Sequence, residues 1–286
     1  MLTLAVATRE ETFERMRDPL AERGIEVRHL DVEGRTIPLT GGFAESFDVG
    51  FVYPSRIMEG GVADALLSVP WVNDREAILR SRNKAGVVAR LARAGVPVPE
   101  TVMVSSPADE AALREAFERF DPPVVVKPNS ATRGLGVAKA ADFDSFVGLT
   151  DYLDLVHEFP ATGDRSFVVQ EFLPGATDYR AMVVDGECVG GVERRLPDDA
   201  LAAGRWKHNV HRGATARGVD LDPEVRTLAE ETAAALDIDY LGVDVLQYDG
   251  RAVVNETNAR PTIDAETKYD PGFYDDLAAL VRRTGT

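Results

Sequence analysis

The sequence predicts an α/β fold whose second half turns α+β. Two observations carry that expectation. In the first 75 residues, apolar strand-like runs alternate with amphipathic helical runs, the pattern of a parallel sheet with helical crossovers. Later, two Asp-Gly pairs, Asp185-Gly186 and Asp249-Gly250, each divide two strand-like runs, the signal of an antiparallel hairpin.

LTLAVA predicts a first strand, EETFERMRDPLAER a helix stopped by Gly24, and IEVRHLDV a second strand. FDVGFVYP predicts a third strand, followed by a helix over Ile57–Leu67 and the short run PWVND. SRNKAGVVARLARAG reads as one amphipathic helix, ended by Gly95 and the break at Pro97 and Pro99. TVMV, DEAALREAFERF and PVVVKP predict strand, helix and strand. The polar glycine loop NSATRGLGV leads into another strand, and a helix follows over Phe143–Val156. SFVVQEFLPG is a strand with a turn, and YRAMVV and ECVGGVERR flank the first Asp-Gly turn. LDPEVRTLAEETAAALD is a helix with Asp222 as N-cap and Pro223 at its first helical position. YLGVDVLQY and RAVVNETN flank the second Asp-Gly turn, and PGFYDDLAALVRRT predicts a closing helix.

At 286 residues the chain can form two or three compact subdomains. No run of 18 apolar residues occurs, so no spanning helix is expected, and the N-terminus reads as a strand, not a signal peptide. Its single cysteine, Cys188, excludes an intrachain disulfide and a multi-cysteine metal site, and makes a reducing cytoplasm the default. The net charge of −16 repels nucleic acid and anionic lipid, so neither is expected as a partner. Only five of the 32 basic residues are lysine. An acidic, lysine-poor surface also fits an acidic mesophile, but it predicts a halophilic protein adapted to molar salt, where repulsion is screened.

Four stretches carry candidate chemistry. Asp244 interrupts the apolar run YLGVDVL, and Glu256 and Asn258 interrupt its partner VVNETN. Such hard oxygen ligands suit Mg²⁺, and three of them on one sheet face would be costly to desolvate without a cation. That reading depends on register. A two-residue Asp249-Gly250 turn would set Asp244 opposite Asn255 and turn Glu256 to the other face. A three-residue loop or a β-bulge would set Asp244 opposite Glu256, so the tight turn is expected not to be used. Second, Lys127 ends the β-branched run PVVVK directly before the glycine loop, whose backbone can approach phosphate; a lid at Asn129–Gly136 is expected. The lysine precedes the glycines, so this is not a Walker A loop, and a glycine loop alone is more often a plain turn. Third, VVQEFLPGATDYR leaves an apolar strand and sets Asp178 and Arg180 at the start of the next. Fourth, ERRLPDDALAAGRWKHNVHRGA gathers Arg194, Arg195, Arg205, Lys207, His208, His211 and Arg212 against the acidic background, which implies an anionic ligand. Each histidine taken alone is more readily a satisfied polar contact than a metal ligand or base.

These motifs, in this order, resemble the ATP-grasp superfamily, and within it the RimK-like α-L-glutamate ligases. RNKAGVVARLARAGVPVP, VVVKPNSATRGLGV, VVQEFL, DYRAMVV, WKHNVHRGA, GVDVL and NETNARP carry the resemblance, from about Asn73 to the end. It implies an ATP-grasp fold with an N-terminal Rossmann-like α/β subdomain over 1–80. A central subdomain would span 81–170 and a C-terminal one 171–286, the two clasping ATP. It implies that Lys84 and Lys127 hold ATP phosphates, that Glu171, Phe172 and Leu173 read adenine by backbone, and that Asp178 holds ribose. Lys207, His208 and Asn209 would contact nucleotide. Asp244, Glu256 and Asn258 would bind two Mg²⁺ ions, for which Mn²⁺ can substitute. Arg180, Arg194 and Arg212 would bind substrate or the γ-phosphate as catalytic residues. The chemistry implied joins a carboxylate to an amine through an acylphosphate, adding an amino acid, glutamate by preference, to a carboxylate-bearing acceptor: a coenzyme, a protein or a carrier. Rival readings are a dipeptide or carrier-protein ligase of the same fold, or a nucleotide-binding module without turnover. The oligomeric state stays open, a homo-oligomer included. The chain departs from the family pattern at Thr257, where valine is usual, in ARPTIDAETKYD, where Pro-Gly is common, and at Arg133 in the glycine loop. The acceptor-facing loops therefore differ.

Overall fold

The computed structural model describes residues 1–8, 10–40, 46–131, 134–156 and 164–286, and the side chains of all of these except 10, 11 and 211. The first sheet is parallel. It consists of β1 (Leu2–Val6), β2 (Ile25–His29), β3 (Val49–Phe51) and β4 (Trp71–Val72), in the order β2-β1-β3-β4. The crossover helix α1 (Glu10–Ala21) joins β1 to β2, and α2 (Ile57–Leu67) lies between β3 and β4, with the bounds the sequence predicts for it. Leu4, Val6, Val49 and Phe51 are buried, as strands covered on both faces require.

The run expected as one helix from Ser81 is two. Helix α3 (Arg75–Arg82) stops at Asn83, and α4 (Lys84–Arg93) starts after it. Asn83 takes an extended backbone, φ −79° and ψ 90°, and its side-chain oxygen accepts the Gly86 N–H at 2.9 Å. Such a cap satisfies an orphan amide of the new helix and places Lys84 at its first position. Ile78 of α3 and Val87 and Leu91 of α4 share a core with the third sheet, not with the second.

The second sheet comprises β5 (Thr101–Ser105), β6 (Val124–Pro128), β7 (Ala138–Ala140) and β8 (Ser166–Glu171), antiparallel in the order β5-β8-β6-β7. Helices α5 (Glu110–Glu118) and α6 (Phe143–Val156) cover one face through Phe117 and Phe146, packed on Val124, Val126 and Val169.

The third sheet is antiparallel: β9 (Thr177–Val184), β10 (Glu187–Arg195), β11 (Thr215–Gly218), β12 (Tyr240–Tyr248) and β13 (Arg251–Asn258), in the order β11-β10-β9-β12-β13. The short α7 (Asp198–Ala202) follows β10, and α8 (Pro223–Leu236) follows β11. Asp222 stands at the N-cap of α8 with Pro223 after it, but its side chain makes no capping bond. Alternation along the strands divides the work of the sheet. Ala181, Val183, Val243, Val245 and Val254 face α8. On the other face, Met182, Val184 and Tyr240 pack on the first sheet and on α9 (Phe273–Thr284). The remainder of that face carries Asp178, Arg180, Arg194, Asp244 and Glu256, with Leu246 beside Asp178.

Both Asp-Gly turns are tight. Asp185 and Gly186 have φ of 53° and 84°, and Asp249 and Gly250 have 49° and 74°, as the two central residues of a type I′ turn require. Tyr248 therefore pairs with Arg251, and the expectation that the two-residue turn is avoided is wrong. A β-bulge makes the correction instead: Val245 pairs with Val254 and Asp244 with Glu256, so Asn255 is extra. Before the bulge, odd residues of β13 face the second sheet; after it, even ones do. Local turn chemistry and the opposition of Asp244 to Glu256 are thereby both satisfied.

Candidate active site

A cleft of about 320 Å³ opens between the second and third sheets. Its floor is the polar face just described. In the strand register Arg180 lies opposite Asp244, Asp178 opposite Arg194, and Asp244 opposite Glu256, which brings four strands to one point. Arg180 grips Asp244 with two hydrogen bonds, Nε to Oδ1 at 2.7 Å and Nη2 to Oδ2 at 2.9 Å. Arg194 bridges the two aspartates, with Nη2 at 2.5 Å from Asp178 Oδ1 and 2.9 Å from Asp244 Oδ2. Burial pushes the Asp244 carboxyl up, but the Arg180 and Arg194 charges outweigh it and hold it down to about 2. Burial pushes Asp178 up to about 6; Arg194 pulls against this and the Asp244 charge adds to it. Burial lowers the Arg194 guanidinium pKa, yet the two carboxylates raise it overall.

Lys127 rises from β6 at the cleft wall. Its ammonium donates to Gln170 Oε1 at 2.6 Å and Asn255 Oδ1 at 2.8 Å. Both partners are neutral amides, and burial brings the lysine down to about 8, although the Glu256 charge opposes the shift. Lys84 reaches Glu256 Oε1 at 3.2 Å and donates to the Ala131 carbonyl of the glycine loop. Lys207 donates to the Val137 carbonyl, and Gly134 lies against the Asn209 side chain. The described ends of the loop are thus held from both sides, while Thr132 and Arg133 of the expected lid lie outside the described residues. Ser130 Oγ, at the start of the loop, is buried and has no hydrogen-bond partner among the described residues.

Glu171, Phe172 and Leu173 leave β8 along the cleft. The Glu171 carboxylate accepts from the Glu100 N–H and from Arg251, both at 2.9 Å, and its own N–H donates to the Glu100 carbonyl at 3.0 Å. The Phe172 ring meets Trp206 edge to face at 5.6 Å, with Lys139 Nζ at 4.5 Å from the Phe172 centroid. His208 Nδ1 lies 3.0 Å from the Arg194 carbonyl, and burial lowers the imidazole pKa. Arg212 is exposed and does not line the cleft, and the His211 side chain lies outside the described residues. Asn258 lies on the Glu256 side of β13, but its side-chain oxygen accepts the Arg260 N–H at 2.9 Å and it does not line the cleft. Among the described residues no three Asp, Glu, His or Cys side chains form a ready metal cluster. Two opposed carboxylates beside an amide still suit one hard cation, provided Arg180 and Lys84 yield their places.

Among the cleft residues that went unassigned in the sequence are Gln170, Asn255 and Trp206. Gln170 interrupts an apolar strand, as Asp244 does, and Trp206 adjoins the basic run; both were legible signals. Asn255 is set aside together with the tight turn: that turn's register puts the odd residues of β13, Asn255 among them, on the face of Lys127, and the bulge then adds Glu256 to it.

The model of the RimK-like ATP-grasp domain matches residues 81–271. A "Probable alpha-L-glutamate ligase" of Thioalkalivibrio sulfidiphilus is 33% identical over 202 residues, 68% of this chain and 60% of that protein. A "Ribosomal protein bS6--L-glutamate ligase" of Escherichia coli O139:H28 is 32% identical over 206 residues, 69% of this chain and 62% of that one. The chain thus spans about 60% of the length of these relatives. The crystal structure of a RimK-domain ATP-grasp protein from Sphaerobacter thermophilus superimposes with a TM-score of 0.71 at 21% identity, covering 99% of both chains. The three-sheet architecture is that of the ATP-grasp fold, and the chain belongs to the RimK-like ATP-grasp family.

Proposed function

We propose that the protein is an ATP-dependent carboxylate–amine ligase that adds an amino acid, L-glutamate by preference, to a carboxylate-bearing acceptor. One observation carries the reading. Asp244 and Glu256 face each other across a bulged hairpin in one cleft with Lys127 and Arg194, and Arg180 and Lys84 ion-pair the two carboxylates. That is the charge pattern a triphosphate and a divalent cation need. The family and the names of its glutamate-ligase relatives supply the choice of reaction and amino acid.

In this reading Lys84 and Lys127 hold phosphates, and the loop after Lys127 covers them. Glu171 to Leu173 offer main-chain groups to adenine against Phe172 and Trp206, while Asp178 faces ribose. Lys207, His208 and Asn209 close the nucleotide side. Asp244, Glu256 and Asn258 hold Mg²⁺, two ions in the full complex, with Mn²⁺ as a substitute. The metal neutralises charge on the transferred phosphoryl group when bound. Arg180 and Arg194 stabilise that charge from the sheet, and Arg212, exposed in the nucleotide-free protein, would have to move in to join them. Phosphorylation of the acceptor carboxylate gives an acylphosphate, which the amine attacks with release of phosphate. No enzyme nucleophile is needed, and among the described residues the cleft offers no Ser–His or Cys–His pair; Cys188 is buried elsewhere. The lone free cysteine supports a cytoplasmic setting.

The test incubates the protein with ATP, Mg²⁺ and single amino acids, each with a glutamate-terminated peptide, a glutamyl coenzyme or a carrier protein. ADP release that depends on both amino acid and acceptor, with a matching mass gain on the acceptor, is expected. Nucleotide binding without ADP release in any combination would replace this reading by a binding module without turnover.

A further inference from the structure

Just past β13 stands a cation that the cleft does not use. Arg260 follows Asn258 by two residues, and its guanidinium points away from the nucleotide cleft toward the first sheet. There it donates to the Tyr53 carbonyl and, at 2.8 Å, to Thr8 Oγ1. Both partners lie just beyond the carboxyl ends of parallel strands, Tyr53 after β3 and Thr8 after β1. The crevice outside those strand ends is where parallel sheets of α/β proteins receive ligands.

The electrostatics of the place are unusual for so acidic a chain. Arg180, Arg194 and Lys84 are each ion-paired with a carboxylate. No carboxylate among the described residues makes an ion pair with Arg260; its two hydrogen-bond acceptors are neutral. The guanidinium is largely shielded from water, and the neighbouring Arg82 carries the same charge. A desolvated guanidinium facing a second positive charge gains most from an anion that arrives with a ligand. Arginine's fork matches a carboxylate bidentately. The residue also falls in a stretch, ARPTIDAETKYD, that departs from the family pattern.

Building on the ligase reading, we propose that Arg260 binds a carboxylate of the incoming amino acid that takes no part in the reaction, and so orients its amine. The amine must reach the acylphosphate over Asp244 and Glu256, while an α-amino acid carries at least one carboxylate that has to be held away from the phosphates. Arg260 stands two residues past Asn258 and is held at the first sheet, so an amino acid reaching from this guanidinium toward the metal ligands would turn its amine toward the reacting centre. With L-glutamate either carboxylate could take this place, and the probes below separate them.

The experiment titrates the full chain, saturated with Mg²⁺ and a non-hydrolysable ATP analogue, with L-glutamate, L-glutamine, L-isoglutamine and a panel of other amino acids, by calorimetry. Wild type should bind L-glutamate, and Arg260→Gln should weaken that binding tenfold or more while leaving analogue affinity within twofold. Arg260→Lys, which keeps the charge but loses the fork, should fall between them. Loss of binding on passing to L-isoglutamine assigns the α-carboxylate, and loss on passing to L-glutamine the γ-carboxylate; in Arg260→Gln the diagnostic difference should vanish. Equal amino-acid affinity in wild type and Arg260→Gln overturns the proposal and leaves the ligase reading standing. Parallel loss of analogue and amino acid in both variants makes Arg260 a structural strap and also overturns it. Binding of no amino acid by wild type that still binds the analogue removes the ligase reading, and the proposal with it.

Discussion

Arg180 holds Asp244 in a fork, Nε to Oδ1 at 2.7 Å and Nη2 to Oδ2 at 2.9 Å, so a carboxylate placed to bind metal is already neutralised by the protein. Glu256 is occupied in the same way by Lys84 at 3.2 Å. A divalent cation arriving alone must displace both. We therefore expect weak Mn²⁺ binding to the nucleotide-free protein by paramagnetic resonance. Arg180→Gln should tighten it by roughly tenfold, a charge-pair effect discounted for the partial exposure of Arg180. Fold stability should change little, because Arg194 still pairs with Asp244. Unchanged or weaker Mn²⁺ affinity in the variant would remove the idea of competition.

Lys127 supplies a pH dependence. Burial lowers its pKa to about 8 in the free protein, with the charges of Lys84 lowering it and those of Glu256, Asp244 and Asp178 raising it. A bound phosphate favours the charged form, so nucleotide binding takes up a proton above that value. Affinity for a non-hydrolysable ATP analogue should then fall about tenfold or more between about pH 7.5 and pH 9.5. The stability effect has the opposite sense to that of a paired lysine: a depressed pKa destabilises the free protein while the lysine is charged, and this cost is relieved as pH rises from about 8 toward the unfolded value of 10.5. Lys127→Gln should bind weakly at every pH, with a flat profile. A profile as steep as that of wild type would assign the proton to another group.

The tight turn at Asp249-Gly250 gives a stability test remote from the chemistry. Gly250 has φ of +74° and nothing lies within 4 Å of the position its Cβ would take, so alanine there meets backbone strain without collision. Gly250→Ala should cost about 1 kcal/mol in chemical denaturation. Analogue affinity should be unchanged, because the bulge at Asn255 sets the Asp244–Glu256 opposition independently of the turn. Weakened nucleotide binding would show that turn and bulge act as one unit.

The charge of −16 on 286 residues, with five lysines, makes a prediction about salt. Melting temperature should rise from dilute buffer to about 2 M KCl, where the screening length is only a few ångströms and like-charge repulsion between surface carboxylates is relieved. A flat or falling curve would place the protein among ordinary acidic ones.

The sequence by itself determined the elements and most of the charged cast. Period-two and helical apolar patterns mark strands and helices such as β12 and α8, and polar residues inside apolar strands, Asp244 and Glu256 above all, mark the site, because burying them without a partner is costly. Tertiary structure decided which of those groups meet. Nothing local in VVNETN says that the ladder slips by one residue, because Asp-Gly favours the tight turn on its own terms and the slip is stabilised by what it brings together: Asp244 with Glu256 on one face, and Thr257 against Ser81 of α3 at 3.0 Å on the other. The break at Asn83 is of the same kind, since capping α4 sets Lys84 where it can reach both the glycine loop and Glu256. Long-range contact likewise separates the arginines, pairing Arg180 and Arg194 with buried aspartates while Arg212 stays exposed and Arg260 turns to the first sheet. A list of residue types cannot make that distinction, because the free energy of a charge depends on its neighbours in space and on how far water is excluded from it.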